Sequence, residues 1–177
     1  MGERRARWGY GYQDKVATDR ILRILKEDLR GGSAVFEGVR LADLQAGRVD
    51  DLVLVWNRRV EGHSIKWSGD ASPMNWGDLI GAKGLVKELA QGFLELRQRW
   101  RDRTVTVRLQ SNRPPSRETH SKQIISAFSV DEFLRDHWKN GPTAQDAEVL
   151  KEAWDTIAKH TGPSVADFGE FVKGCTF

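Results

Sequence analysis

The chain has 177 residues, 30% of them charged and 39% hydrophobic, with 28 Lys and Arg against 25 Asp and Glu for a formal net charge of +3. That length suits one domain with a respectable core, and the balance excludes a disordered chain and a membrane-spanning one: no apolar run approaches the roughly 20 residues a membrane helix needs. One cysteine, Cys175, excludes an internal disulfide and, with four scattered histidines, argues against a structural zinc site. The N-terminal MGERRARWGYGYQ lacks the apolar core of a secretory signal, which points to a cytoplasmic location without a membrane partner.

In chain order, Val16, Ile21, Leu22, Leu25 and Leu29 recur at helical intervals, so a helix is expected over residues 13–30, stopped by Gly31 and Gly32. Short strands follow at Ser33–Glu37, Leu52–Trp56 and His63–Trp67, the last two forming a hairpin around NRRVEG. SPMNWGDLI brings a loop and a helix entry. From Leu79 to Trp100 the spacing of Leu85, Leu89, Phe93 and Leu96 predicts a single helix despite three glycines. TVTVRL, Thr104–Leu109, alternates and is rich in β-branched residues, which makes a fourth strand. After the proline-bearing QSNRPPS, three helical segments carry N-caps at Ser129, Thr143 and Ser164, the first completed to a capping box by Glu132. These C-terminal helices are expected to cap the sheet, within one domain that has its core at about 9–115 and a helical part at about 125–177.

The charged residues in and beside these strands suggest chemistry. Glu37 ends the first strand, Asp50 and Asp51 precede the second, and Lys66 lies inside the third, so three charged tips are expected to converge. Carboxylate oxygens suit Mg2+, which usually binds through one or two carboxylates plus phosphate and water, and a nearby lysine stabilises charge on phosphate or positions the attacking water. Adjacent strand residues face opposite sides, so only one of Asp50 and Asp51 can face such a metal; Asp51, directly before the apolar run, is preferred. Arg97, Arg99, Arg101 and Arg103, followed by Arg113 and Arg117, read either as cations at a helix C-terminus or as a phosphate-binding face.

The order helix, three strands, helix, strand resembles the PD-(D/E)XK nuclease superfamily. Closer still is the likeness to the double-stranded-DNA endonuclease domains at the N-terminus of bacterial anti-phage proteins, both cyclic-nucleotide-activated effectors and STAND ATPase sensors. Those domains open with G-x-x-Y-Q, matched by Gly9, Tyr12 and Gln13. They continue with a strand ending in glutamate, an acid pair, and Q-x-K, matched by Glu37, by Asp50 with Asp51, and by Ser64 with Lys66. NWGDLI, RLQSNRPPS and DFGEFVKGCTF are similar to later segments of the same domains. The resemblance implies an α/β, restriction-endonuclease-like αβββαβ core, a mixed central sheet flanked by helices, plus C-terminal helices. It implies Mg2+ or Mn2+ held by Glu37, Asp51 and the backbone carbonyl of Ile65, with Lys66 catalytic, Gln13 beside the centre and Asp50 in support. Double-stranded DNA would be the substrate, cut with little sequence preference. A homo-oligomer, dimer or tetramer, and an attached sensor or NTPase domain in a longer bacterial protein are also implied. Ser64 departs from the family pattern, replacing a longer polar side chain by a hydroxyl.

Taken singly, Glu37 reads more simply as a solvated strand end and GRVDD as turn chemistry. Lys66, between Ile65 and Trp67, is costly to bury unless paired. The expected function is a metal-dependent DNA endonuclease. Its rivals are a nuclease-like module that only binds DNA or a partner, and a structural α/β domain whose acids form surface ion pairs.

Overall fold

The structure, a computed structural model, describes residues 2–28, 35–42, 49, 51–70, 72–162 and 165–177, with backbone alone at 2–9, 28 and 165–167. Asp50, the helix stop at Gly31 and Gly32, the first two residues of the expected first strand and the Ser164 cap lie outside the described residues. Among those described, no helix is long and apolar enough to cross a membrane.

Five strands form one mixed sheet: β1 (Phe36–Leu41), β2 (Leu52–Trp56), β3 (Arg59–Lys66), β4 (Thr104–Ser111) and β5 (Cys175–Thr176), side by side in that order. β1, β2 and β3 are an antiparallel meander, and β4 and β5 continue the sheet in parallel. β2, between edge strand β1 and central β3, is buried at every position. Because its side chains alternate, it feeds two cores. Leu52, Leu54 and Trp56 meet Ala17 and Ile24 of α1 (Gly2–Asp28) on one face. Val53 and Val55 join the larger core on the other, with α2 (Trp76–Ile80), α3 (Leu85–Arg99), α5 (Glu148–Thr161) and α6 (Val165–Gly174). The C-terminal helices therefore cap the sheet, as expected.

Three boundaries differ from the sequence reading. β1 runs to Leu41 because it must pair along the whole of β2, Phe36 opposite Trp56 and Leu41 opposite Leu52; as an edge strand it needs no buried alternation, so Arg40 and exposed Val39 hid it. β3 begins at Arg59, not His63. Glu61 and Gly62, read as turn residues, are strand residues, leaving the hairpin turn only Asn57 and Arg58. The expected 79–100 helix is two. A Cβ on Gly84 would stand 2.4 Å from the Leu79 carbonyl oxygen, and one on Gly81 2.3 Å from that of Gly77, so the chain folds back on itself here as only glycine allows. α2 has its own capping box, Asn75 accepting from the Asp78 N–H and Asp78 from the Asn75 N–H.

The segment after Ser129 begins as α4 (Val130–Glu132), loosens to a π turn at Phe133–His137 and tightens to a 3-10 turn at Trp138–Asn140. Ser129 caps it by accepting from the Glu132 N–H. Thr143 does not cap α5: it closes a turn on Asp146, and the helix starts at Glu148 after Ala147. Phe133 lies edge-on to Trp76 and Trp154, locking this segment onto α2 and α5. Cys175 is buried in β5, burial pushes its thiol pKa up, and its carbonyl accepts from Trp138 Nε1.

α1 is held to the sheet by a polar seam as well as by apolar contact. Arg20 Nη2 donates to both Glu61 oxygens at 3.0 and 2.9 Å, His63 Nε2 lies 3.0 Å from Glu61 Oε1, and His63 Nδ1 lies 3.0 Å from Gln110 Oε1. Burial raises the Glu61 pKa, but the hydrogen bond and charge of His63, with the guanidinium groups of Arg20 and Arg108, outweigh it and hold the group down at about 2.

Since the unfolded carboxyl titrates near 4.5, stability from Glu61 is complete above that pH and is lost as the pH falls toward 2. Urea unfolding of Glu61→Gln should show lower stability at pH 7 and a shallower decline between pH 5 and pH 3 than the parent; parallel declines would contradict this. A second test concerns close packing. A Cβ on Gly62 would lie 2.6 Å from Leu96 Cδ1, and one on Gly92 2.6 Å from Val49 Cγ2. Gly62→Ala and Gly92→Ala should each cost about 1–3 kcal/mol in chemical denaturation.

Candidate active site

The last antiparallel pair between β2 and β3 is Leu52 with His63, yet β3 continues to Lys66. Among the described residues the Ile65 N–H therefore has no backbone partner on that side. Asp51 supplies one, its Oδ2 accepting from Ile65 N at 2.6 Å. The other oxygen, Oδ1, accepts from Gln13 Nε2 at 2.8 Å, and the same nitrogen lies 3.4 Å from the Ile65 carbonyl oxygen. Gln13 reaches this point because it stands one turn before Ala17 on the face of α1 that packs on the sheet. Three of the sequence candidates, Gln13, Asp51 and Ile65, thus meet where β2 begins and β3 runs on paired with β4 only.

Lys66 follows immediately. Its side chain leaves on the opposite face from Ile65, toward α3, and Nζ lies 3.5 Å from Glu88 Oε2. Ser64 shares that face but lies inside, 1% exposed, with its hydroxyl unpartnered. It does not reach the opening where Lys66 emerges. Past Lys66 the strand end is held by Asn112, whose side chain imitates a paired strand: Oδ1 accepts from Ser68 N and Nδ2 donates to Ser68 O, each at 2.8 Å. A cleft of 350 Å³ opens here, lined by Lys66, Trp67, Lys83, Asp78, Ser111 and Arg113 among others.

The other expected residues are elsewhere. Glu37 sits at the Trp56 end of β1, while Asp51 precedes Leu52 at the other end of β2, roughly 15 Å away by strand rise. Its carboxylate pairs with Arg103 at 2.7 Å. The expected convergence of Glu37, Asp51 and Lys66 is corrected: Glu37 lies at the other end, because an antiparallel meander puts the start of β1 at the finish of β2, and Lys66, though next to Ile65, turns its side chain to the α3 face while Asp51 is held with Gln13 of α1. The arginines divide likewise. α3 runs back along β3, from Glu88 beside Lys66 to Leu96 beside Gly62, so Arg97, Arg99, Arg101 and Arg103 gather at the end of the sheet remote from Lys66. Arg97 also pairs with Glu170. Arg113 is at the near end, but its donors hold the 72–78 loop, through Asp78 at 2.9 Å and the Ser72 and Pro73 carbonyls at 2.7 and 3.1 Å. Arg117 projects outward beside Asp131, its side chain 85% exposed.

Sequence reading missed Glu88 and Asn112. Glu88 becomes visible only once the helix is broken at Gly81–Gly84, which restarts it at Leu85 and brings its first turn to the end of β3.

No protein-family model, curated protein or solved structure matches the chain. Among the described residues no three His, Cys, Asp or Glu side chains gather as a metal site. What the strand end offers is a pair of hard oxygens, the Asp51 carboxylate and the Ile65 carbonyl, both within reach of one Gln13 nitrogen, with an ammonium group on the next residue. Hard oxygens are what Mg2+ and Mn2+ prefer.

Removing the Asp51 carboxylate should leave the Ile65 N–H without a partner, at a cost of about 1–3 kcal/mol. Hydrogen exchange on Asp51→Ala should show the Ile65 amide losing protection while the amides of Val53 and Val55 keep theirs; an unchanged Ile65 would show that the carboxylate does not hold this strand end.

Proposed function

We propose that the chain is a metal-dependent endonuclease domain that hydrolyses DNA phosphodiester bonds, of restriction-endonuclease type. The observation that carries this reading is the Asp51 carboxylate at the end of a central strand, held by the Ile65 N–H and sharing Gln13 with the Ile65 carbonyl, with the next residue, Lys66, entering a cleft on the other face that also contains Lys83. The order α1, three meandering strands, helix and parallel strand supports it, as that is the order the resemblance implies. Double-stranded DNA is the proposed substrate, and the anti-phage setting, the oligomer and the attached sensor domain remain proposals resting on the resemblance.

The donor set fits a small hard cation. Asp51 and Ile65 O would hold it, and Gln13, whose amide already bridges the two, can turn its own oxygen toward it. Bound there, the cation would supply Lewis-acid activation of a phosphate oxygen or a water. The chain's own part is positioning and charge. Asp51 is held in place by the Ile65 N–H, so its orientation is set before any ligand arrives. Lys66 carries a positive charge to the cleft, where it can stabilise charge developing on a phosphodiester oxygen. Glu88 holds that ammonium in place and supplies a carboxylate at the strand end, which Ser64 does not.

One observation favours a second reading, a nuclease-like module that binds without cutting: position 64 carries a buried, unpartnered hydroxyl instead of a longer polar group. A plasmid-nicking assay with Mg2+ and with Mn2+ separates the two. The wild-type chain should nick. Asp51→Ala and Lys66→Ala should each reduce the rate by about 100-fold or more, and Glu88→Gln by about tenfold. Duplex binding with no nicking under either metal would discard the enzyme and leave the binding module.

A further inference from the structure

β5 is shorter than the strand it flanks. It stops at Thr176, opposite Arg108, whereas β4 runs on to Ser111, so beyond Arg108 no described strand pairs with β4 on that side. Thr104 N donates to Arg58 O on the β3 side, and backbone groups alternate along a strand, so those of Leu109 and Ser111 point the other way. Toward β3 the strand is paired to its last residue, Ser111 opposite Lys66, and Asn112 then closes on Ser68. On the outer side the Leu109 carbonyl and the Ser111 N–H open toward a pocket of 540 Å³. Its apolar lining is Met74, Leu109, Leu134, Trp138, Cys175 and Phe177, the Phe177 ring standing edge-on to Trp138 at 4.9 Å. Met74, Ser111 and Arg113 also line the Lys66 cleft, so the two hollows adjoin. The rim is charged. Arg113 pairs with Asp78, and Arg135 with Asp131 and Asp136, while exposed Lys139 has no acid partner among the described residues.

We propose that this interrupted sheet edge is a docking site for an extended peptide of a partner protein, one carrying apolar and acidic side chains, which adds to β4 beyond the end of β5. The backbone selects a peptide: a purely apolar small molecule fills the pocket but leaves the Leu109 carbonyl and the Ser111 N–H unpaired, whereas a peptide brings an N–H for the first and a carbonyl for the second. Side chains of an added strand alternate, so those on the face shared by Leu109 and Ser111 enter the pocket and meet its apolar floor. An acid on the same peptide meets Lys139, whose charge the rim leaves unanswered. The open edge spans only Leu109 to Ser111 and lies beside the wall formed by Leu134, Arg135 and Trp138, which a single strand can enter and the edge of a second folded sheet cannot. Recognition of this kind stands apart from the nuclease reading, since it uses neither Asp51 nor Lys66.

The test pans a phage-displayed library of random peptides, about nine residues long, against the 177-residue chain, then measures an enriched peptide, made synthetically, by fluorescence anisotropy. Enriched sequences should alternate apolar with other residues, carry an acid, and lack proline in the paired stretch. Methylating the peptide's amide nitrogens one at a time should cost about tenfold in affinity at the paired position and little elsewhere. With thermal midpoints matching the wild type, Leu134→Glu should lose about tenfold or more, and Lys139→Glu, at an exposed position, about fivefold, restored when the peptide's acid is exchanged for lysine. Lys66→Ala, which alters the neighbouring cleft, should bind the peptide as the wild type does. No enrichment, indifference to methylation at every amide, or unchanged affinity in Leu134→Glu and Lys139→Glu would overturn the proposal. So would an equal loss in Lys66→Ala, which places the peptide in the cleft, or a dimer in sedimentation that Lys139→Glu dissolves, which gives the edge to a second copy of the chain.

Discussion

One hydrogen bond organises the candidate site: the 2.6 Å contact in which the Asp51 carboxylate takes the Ile65 N–H that β2 is too short to pair. A buried strand end with an open N–H is expensive, and a carboxylate is its strongest side-chain acceptor. The same bond fixes where the second carboxylate oxygen points, and that oxygen receives Gln13 from α1. Helix, strand start and strand end are thereby tied at one point, with Lys66 on the next residue. The acid is needed structurally before any chemistry is asked of it, so its presence alone does not identify a catalyst.

The sheet has two unlike ends, and α3 connects them. Its first turn brings Glu88 to Lys66; its last delivers arginines to the turn beside Trp56. This polarity follows from the crossover. β4 is parallel to β3, so the connection must return the chain from the Lys66 end to the Arg59 end, and the helix that does so carries whatever sits in its last turn away from the cleft. The basic helix terminus and the proposed centre are consequently separated by the length of the helix.

On the other face, α1 is secured by the Arg20–Glu61–His63 seam as well as by its few apolar contacts. Buried ion pairs of this kind add little net stability over apolar packing, but removing one partner strands the other, so they penalise a shift of the helix along the sheet. Gln13 lies about two turns from Arg20 on that helix, and the seam therefore also sets how far Gln13 reaches toward Asp51.

Periodicity and cap chemistry determined the element order, the hairpin from Leu52–Trp56 into the third strand, the fourth strand, and the Ser129 cap, because each is written in residues close together along the chain. That Gln13, Asp51 and the Ile65 backbone are neighbours was suggested by the resemblance and not by closeness along the chain, since Gln13 and Asp51 are 38 positions apart. The first strand's true extent, the burial of Glu61 and the break at Gly81–Gly84 were not legible, because each is settled by what lies across from the residue. Only the tertiary structure decided that Glu37 belongs with Arg103 and not with Asp51, and that Glu88 belongs with Lys66. A one-dimensional pattern tells which residues share a strand or a helix face, whereas strand direction and the return path of a helix decide which ends of those elements meet.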